Sequence, residues 1–186
     1  MDMAIGIRLK RAPRKYDLAA SKFFGAPTIP REWDNSFYDE ELFLCQIRLS
    51  DIASLDTDGR LPHEGYLYIF LDTSEGEYNL SLDVRYYAGE PTLAIDDFNE
   101  GVEGYEKFTR AYLVEFYPVA DDEACTRLLG IPSDWNYAEE PPRLLLQYDP
   151  LDNETGFLSH IDGFLYFAFG EDECDLSKVR VIEEYS

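Results

Sequence analysis

Apolar and polar residues alternate over several short stretches of the chain, which is the pattern of β-strands with one buried face. These stretches are residues 4–10 and 80–86, and residues 108–119 and 178–185 are also predicted to be strands. In the clearest of them, the apolar side carries Leu80, Leu82, Val84 and Tyr86. Unbroken apolar runs at 42–49 and 66–71 are typical of strands that are buried on both faces. The pattern therefore predicts a mainly β fold.

One stretch, residues 121–130, is instead predicted to be helical. Asp121 can cap the N-terminus of such a helix, and Gly130 stands where a C-terminal capping residue belongs. The buried stripe of this helix would consist of Ala124, Cys125, Leu128 and Leu129. The expected fold class is mainly β, bordering on α+β, with one or two short helices.

The second half of the chain repeats motifs of the first half in the same order. The first copy reads Gly25-Ala26-Pro27, Trp33, Leu44-Cys45-Gln46 and Gly65-Tyr66-Leu67-Tyr68. The second copy reads Gly130-Ile131-Pro132, Trp135, Leu145-Leu146-Gln147 and Gly163-Phe164-Leu165-Tyr166. Because one such unit exposes an apolar face that it cannot cover alone, two pseudo-repeated β units are expected, at about 21–75 and 128–182. They would pack into one roll-like or sandwich-like domain that spans residues 1–186.

Gln46 and Gln147 interrupt apolar runs at matching places in the two half-units. A buried side-chain amide is normally hydrogen-bonded. Each glutamine is therefore expected to bond to the backbone or to its counterpart, and a contact with a ligand is the less favoured interpretation.

Six motifs run through the two half-units: "SKFFGAPTIP" (21–30), "LCQIRLSDI" (44–52), "LPHEGYLYIF" (61–70), "LLGIP" (128–132), "LLLQYD" (144–149) and "GFLYFAF" (163–169). These motifs resemble those of the YwqG-like family, a bacterial domain family of unknown function. The resemblance extends over about residues 21–182 and implies a β-rich, roll-like domain with no established activity. Some relatives look like neighbours of bacterial toxin–immunity gene clusters, so the resemblance also hints at a protein partner.

The charge of the chain is strongly acidic and unevenly distributed. The sequence has 16 basic and 38 acidic residues, a net charge of −22, yet residues 1–31 carry seven basic residues and only two acidic ones. The acidic body repels nucleic acid and anionic membranes and attracts basic proteins, although solubility alone is an alternative explanation. The basic segment Arg8–Lys15 could bind nucleic acid, but it is expected to lie against the acidic body of its own chain.

Cysteine usage and the N-terminal residues indicate a reducing compartment. Cys45, Cys125 and Cys174 are widely spaced and include no C-x-x-C pair, which disfavours a disulfide framework and a thiolate zinc site. The first residues contain no apolar core of a signal peptide, and no apolar run approaches the length of a membrane span. A cytoplasmic protein without a cofactor is expected.

The sequence predicts no catalytic residue, because it contains neither a phosphate-binding glycine loop nor a nucleophile-elbow motif. Two histidines, His63 and His160, stand at nearly matching places, each close to an acidic residue, Glu64 or Asp162. If their loops met, the four side chains could bind zinc or act as an acid–base set. The favoured alternative is that both histidines are exposed loop residues.

An acidic surface is the preferred candidate site. The candidate interface residues are Asp149, Asp152, Glu154, Glu171, Asp172, Tyr137 and Tyr148. Acidic loops are usually solvated, but they can steer a basic partner, and tyrosines can anchor an interface. Packing of these tyrosines inside the domain is an equal alternative. The expected function is an acidic protein-binding module for a basic partner such as a toxin, which would make it a protein of the immunity type. A metal-dependent or small-ligand-binding enzyme that uses the His63 and His160 loops is the alternative.

Overall fold

In this computed structural model the strands pair into one large antiparallel sheet and one small one. The structure describes residues 4–76, 80–135, 139–159, 163–170 and 175–183. Its strands are β1 (Ala4–Arg11), β2 (Lys22–Phe23), β3 (Thr28–Ile29), β4 (Glu41–Arg48), β5 (Tyr66–Asp72), β6 (Ser81–Tyr87), β7 (Leu93–Ala94), β8 (Tyr112–Val119), β9 (Arg127–Leu128), β10 (Leu144–Tyr148), β11 (Leu165–Ala168) and β12 (Arg180–Glu183). Short 3₁₀ turns cover Arg31–Trp33, Leu49–Asp51, Phe98–Gly101, Tyr105–Phe108 and Leu176–Lys178. Within these described ranges no helix is long and apolar enough to cross a membrane. The predicted mainly β class is confirmed.

The large sheet is arranged symmetrically about its two central strands. Its order is β12-β11-β10-β9-β1-β8-β2-β4-β5-β6, and each neighbouring pair is antiparallel. β1 pairs with β8 along its whole length, from Ala4 opposite Val119 to Arg11 opposite Tyr112. Four strands of the second half lie beyond β1, and four strands of the first half lie beyond β8. The edge strands β6 and β12 contact each other, so the sheet is nearly closed.

The inner face of this curled sheet carries the main hydrophobic core. Central and flanking strands of both halves contribute to it, for example through Ile7, Ile47, Ile69, Leu146 and Phe167. Side chains of the two edge strands pack onto the same core. A second cluster lies apart from this core, where β3 and the segment around β7 contribute to its packing; it contains Ile29, Phe43, Tyr66, Tyr68 and Phe70. One continuous core therefore joins the two halves of the chain.

Matching motifs of the two half-units adopt matching backbone conformations. The pairing of β4 with β5 shifts register at Leu44, and the pairing of β10 with β11 shifts at Leu145. Phe24 and Leu129 have φ angles of 54° and 63°, values that are uncommon for residues other than glycine. In each case the next residue is a glycine that also has a positive φ. The same strained turn thus follows β2 in the first half and β9 in the second.

The helix predicted for residues 121–130 is wrong. The segment contains β9, in which Arg127 pairs with Gly6 of β1 on one side and with Gln147 of β10 on the other. Of the expected stripe, Ala124 is exposed, whereas the other three side chains are buried. Gly130 does adopt the left-handed conformation of a capping residue, but it follows a strand. A short segment that contains several buried apolar residues has some of them three or four positions apart whether it is a strand or a helix. Spacing alone therefore does not distinguish a short buried strand from a helix.

The basic residues of β1 pair in part with the chain's own acids, as expected. Arg8 Nη1 lies 3.7 Å from Glu115 Oε1, and the Lys10 ammonium contacts the same carboxylate. The hydrogen bond from Lys10 and the nearby positive charges hold the pKa of Glu115 below its ordinary value. These contacts lie on exposed side chains of the two central strands. The remaining arginines of this basic segment are not part of this pairing.

Candidate functional site

The two ends of the large sheet can be distinguished because all neighbouring strands are antiparallel. At one end, here called the lower end, β1, β5 and β10 finish and β4 and β8 begin. The connections at the lower end are 34–40, 73–76, 97–111 and 149–159. The opposite upper end holds the connection 49–65 and the start of the connection 120–126, which returns toward the lower end before β9.

Direct contacts join the connections at the lower end into one surface. The backbone of Gly101 lies so close to the Asp39 carbonyl that a Cβ atom there would be 1.8 Å from the oxygen. Thr73 donates hydrogen bonds from its N–H and its hydroxyl to the Glu40 carbonyl, at 3.1 and 2.8 Å. The Phe157 ring packs against Phe108, with centroids 5.5 Å apart. Segments that are distant in sequence therefore meet here.

The lower end is rich in exposed acidic side chains. They are Asp34, Asp39, Glu40, Glu75, Asp97, Glu100, Glu103, Glu106, Asp152 and Glu154. The exposed basic residues Lys107 and Arg110 offset part of this charge. Clustered charges of one sign produce a surface potential that attracts oppositely charged partners.

Two large apolar side chains stand in the solvent among these acids. Tyr38 is 77% exposed and precedes Asp39 and Glu40, and Leu151 is 79% exposed between Asp149 and Asp152. They are the most exposed large apolar side chains in the described parts of the chain. Sequence reasoning missed both, although a signal was present. Each is a large apolar residue next to acidic residues in a loop that adjoins a buried strand.

Arg85 of β6 fixes the segment that carries Tyr38. Its guanidinium lies 4.2 Å from the centroid of the Phe37 ring, donates to the Ser36 carbonyl at 3.0 Å and pairs with Asp83 at 2.7 Å. The Tyr38 N–H donates to Glu41 Oε2 at 3.0 Å. Burial of Glu41 raises the pKa of its carboxyl group. The backbone on both sides of Tyr38 is therefore anchored, while its ring remains free of the core.

The predicted cluster of Asp149, Asp152 and Glu154 lies at the lower end, but its members differ in their roles. The Asp149 Oδ1 atom accepts from the Leu151 N–H at 2.8 Å, and burial raises the pKa of this carboxyl group. Asp152 Oδ2 accepts from the Thr126 N–H at 2.8 Å, so this carboxylate supports the approach to β9. Glu154 is exposed. Asp152 and Glu154 are therefore exposed on the surface, whereas Asp149 is half-buried and its carboxylate bonds to the backbone of its own loop.

Tyr148, one of the candidate interface residues, instead packs inside the domain, which is the alternative that the sequence left open. Its side chain is fully buried, and its ring stacks on Phe23 with centroids 6.2 Å apart. Asn153 donates to its hydroxyl at 2.9 Å, and burial raises its pKa. Tyr148 is the last residue of β10, and its side chain is still part of the main hydrophobic core. The candidates Tyr137, Glu171 and Asp172 lie outside the described residues.

The two-histidine site receives no support from the described geometry. His63 lies in the upper-end connection, where its Nε2 atom is 3.4 Å from Oδ2 of the buried Asp56. The neighbouring Glu64 is exposed. His160 and Asp162 lie outside the described residues, and the described part of their connection, 149–159, is at the lower end. Where side chains are described, no three His, Cys, Asp or Glu residues are grouped as a metal ion would require.

Comparison with known proteins adds no relative. No family model matches the sequence, and no curated protein matches it. The candidate site therefore stands on its own geometry.

Proposed function

We propose that this protein is an acidic protein-binding module whose lower end binds a basic protein. One observation carries the proposal: Tyr38 and Leu151, the most exposed large apolar side chains of the described residues, both project from acidic loops at the same end of the sheet. Protein interfaces commonly combine apolar or aromatic anchors with a polar rim that remains accessible to water. Asp39, Glu40 and Glu154 supply such a rim here.

The charge of the chain determines the kind of partner proposed. A net charge of −22 accelerates encounter with a basic surface and disfavours acidic partners. The resemblance to the YwqG-like family supports a partner of the toxin type, which would give the protein an immunity-type role. A metal-dependent activity at the His63 loop is not proposed, because the described residues contain no group of three His, Cys, Asp or Glu side chains that could hold a metal ion.

The test begins with the tagged protein as bait in lysate of its source, at about 50 mM and about 500 mM salt. Screening at the higher concentration shortens the range of charge interactions to a few ångströms, so a steered complex should dissociate. The expected result is a stoichiometric basic protein that is retained at low salt and released at high salt. Empty bait at both salt concentrations contradicts the proposal.

Variants then locate the interface. Tyr38→Ala with Leu151→Ala should reduce affinity for the retained partner by tenfold or more, because hot-spot truncations typically cost about 2 kcal/mol or more. Removal of charge is tested separately with the triple variant Asp39→Asn, Glu40→Gln, Glu154→Gln, which should slow association.

A matched control neutralises three exposed acids at the upper end: Asp58→Asn, Glu64→Gln and Asp122→Asn. It changes the net charge by the same amount as the lower-end triple variant. A general effect of charge would slow association equally in both triple variants. The lower-end proposal requires a clearly larger effect in the lower-end variant, and equal effects would refute it.

A further inference from the structure

A second feature at the lower end has the opposite charge. An open cleft of about 550 Å³ lies where β1 ends and β8 begins, and its lining includes Arg11, Arg14, Tyr16 and Arg110. The pairing of the two central strands continues into this region, because the Ala12 N–H donates to the Ala111 carbonyl at 2.9 Å. Antiparallel pairing thus places residues that follow β1 beside residues that precede β8.

The three arginines of this cleft differ from the paired basic residues of the chain. Carboxylates lie within 4.0 Å of Arg8, Lys10, Arg48, Arg85 and Lys178. Across the ranges that the structure describes, no carboxylate forms an ion pair with Arg11, Arg14 or Arg110, and all three are exposed. Lys15, Arg31 and Lys107 are likewise exposed and without an ion pair among the described residues. The three arginines stand apart because they line one cleft, which favours a site for an external anion.

A buried lysine contacts one wall of the cleft, and the carboxylates of Asp17 and Asp96 lie near enough to offset part of its charge. Lys22 is fully buried, its Nζ atom donates to the Leu18 carbonyl at 2.6 Å, and it lies 5.5 Å from the centroid of the Tyr16 ring. Tyr16 therefore lines the cleft and also contacts this ammonium group. The aromatic ring also offers a flat surface on which a ligand ring can stack.

Guanidinium groups bind phosphoryl oxygens bidentately, which makes arginine the usual residue for oxyanion recognition. The cleft volume falls in the range of roughly 300–1,000 Å³ that is typical of small-molecule sites. It exceeds what a single phosphate ion needs, and three cations match a ligand that carries more than one phosphoryl charge. We propose that the cleft binds a small molecule bearing a pyrophosphate group, either free or at the end of a nucleoside diphosphate.

A small ligand fits the surroundings better than a nucleic acid. Repulsion by the acidic body acts over about 8–10 Å at physiological ionic strength, so a short ligand inside the cleft avoids most of it. A long polyanion would extend over the exposed acids Glu103, Glu106 and Glu115. This inference is independent of the proposed protein interface, because it rests on different residues and a different ligand class.

The test is titration calorimetry of the full chain with inorganic pyrophosphate, with ADP and with a single-stranded oligonucleotide of about 20 nucleotides, at low salt and pH 7. Pyrophosphate should bind. Tighter binding of ADP would indicate that its nucleoside contacts the Tyr16 ring. Absence of pyrophosphate and ADP binding would overturn the proposal. Tighter binding of the oligonucleotide than of either small ligand would also overturn it.

Variants distinguish binding in the cleft from a general effect of positive charge. Arg14→Gln with Arg110→Gln should weaken pyrophosphate binding by at least about tenfold, because charge-assisted hydrogen bonds are lost. The control variant, Arg8→Gln with Lys10→Gln, removes the same charge from the paired residues of β1 and should weaken binding less than about threefold. Arg14→Lys should lie between the wild type and the double variant, because it retains the charge but not the bidentate geometry. Equal losses in the two double variants would refute a specific cleft.

Discussion

Replacement of Gln46 by leucine tests whether the interior is held together by side-chain amides that bond to the backbone. Gln46 is fully buried in β4. Its Oε1 atom accepts from the Thr28 N–H at 2.9 Å, and its Nε2 atom donates to the carbonyls of Leu18 and Ala20 at 3.1 and 3.0 Å. One side chain thus fastens two separate stretches of the chain to the sheet.

The magnitude follows from which groups lose their partner. Leucine is apolar and close in volume to glutamine, so the main cost is the loss of polar contacts. The buried Thr28 N–H loses its acceptor, at about 1–3 kcal/mol, and the Ala20 carbonyl loses a donor, at about 1 kcal/mol. The Leu18 carbonyl keeps its bonds from the Lys22 ammonium and the Thr28 hydroxyl, both at 2.6 Å. The free energy of unfolding should fall by about 2–4 kcal/mol.

Gln147 provides a second measurement of the same effect. Its Oε1 atom accepts from the Ser133 N–H at 3.0 Å, and its Nε2 atom donates to the Cys125 carbonyl at 2.9 Å. Gln147→Leu should therefore cost a similar amount. The two glutamines lie on strands that are five positions apart in the sheet and share no hydrogen-bond partner, so the two losses should add in the double variant.

Urea unfolding followed by circular dichroism and tryptophan fluorescence measures these losses. Ile47→Val is the control, because it removes one methylene from the same strand and should cost about 0.5–1.5 kcal/mol. A loss below about 0.5 kcal/mol for either glutamine variant would refute the reasoning, since an unsatisfied buried N–H must cost more than that. Strong non-additivity would show that the two halves do not behave as separate sites.

Three further predictions concern single residues. Gly25→Ala should destabilise the fold more than Gly59→Ala, as measured by thermal unfolding, because only at Gly25 would the new Cβ meet a neighbour, at 2.8 Å, in addition to the strain of a positive φ. Burial lowers the pKa of Lys22 to about 8 from 10.5; between these values the unfolded chain binds more protons, so unfolding free energy should rise from pH 8 to 9.5, and less so in Lys22→Met. Burial raises the pKa of the Cys45 thiol, so Cys45 should react with iodoacetamide only after unfolding.

The strands were predictable because their signal is local. Leu82 and Val84 of β6 pack onto the core as the alternation predicts, and the apolar runs at 42–49 and 66–71 form β4 and β5. The role of Gln46 was also predictable in part, because a buried amide surrounded by apolar residues must bond to something. Its partners in the backbone could not be chosen from the sequence, since they depend on how distant segments pack.

The failures arose where burial depends on long-range pairing. Residues 121–130 were interpreted as a helix because Cys125, Leu128 and Leu129 have helical spacing, yet β1 and β10 flank the segment and make Arg127 part of a strand. Tyr148 lies beside an acidic loop in the sequence, but the direction of its side chain is set by β10. Neither fact is encoded within a short window of sequence.

The symmetry of the sheet also explains why matching positions were a poor guide to a site. Five antiparallel steps separate β4 from β10, so these corresponding strands run in opposite directions. The connection that follows β4 is therefore at the upper end, and the one that follows β10 begins at the lower end. Corresponding loops are kept apart by this arrangement, whereas loops that do not correspond are brought together. Tyr38 precedes β4 and Leu151 follows β10, and they share an end for that reason. A functional surface at either end of this fold must be built from unlike sequences, so a search for repeated residues cannot find it.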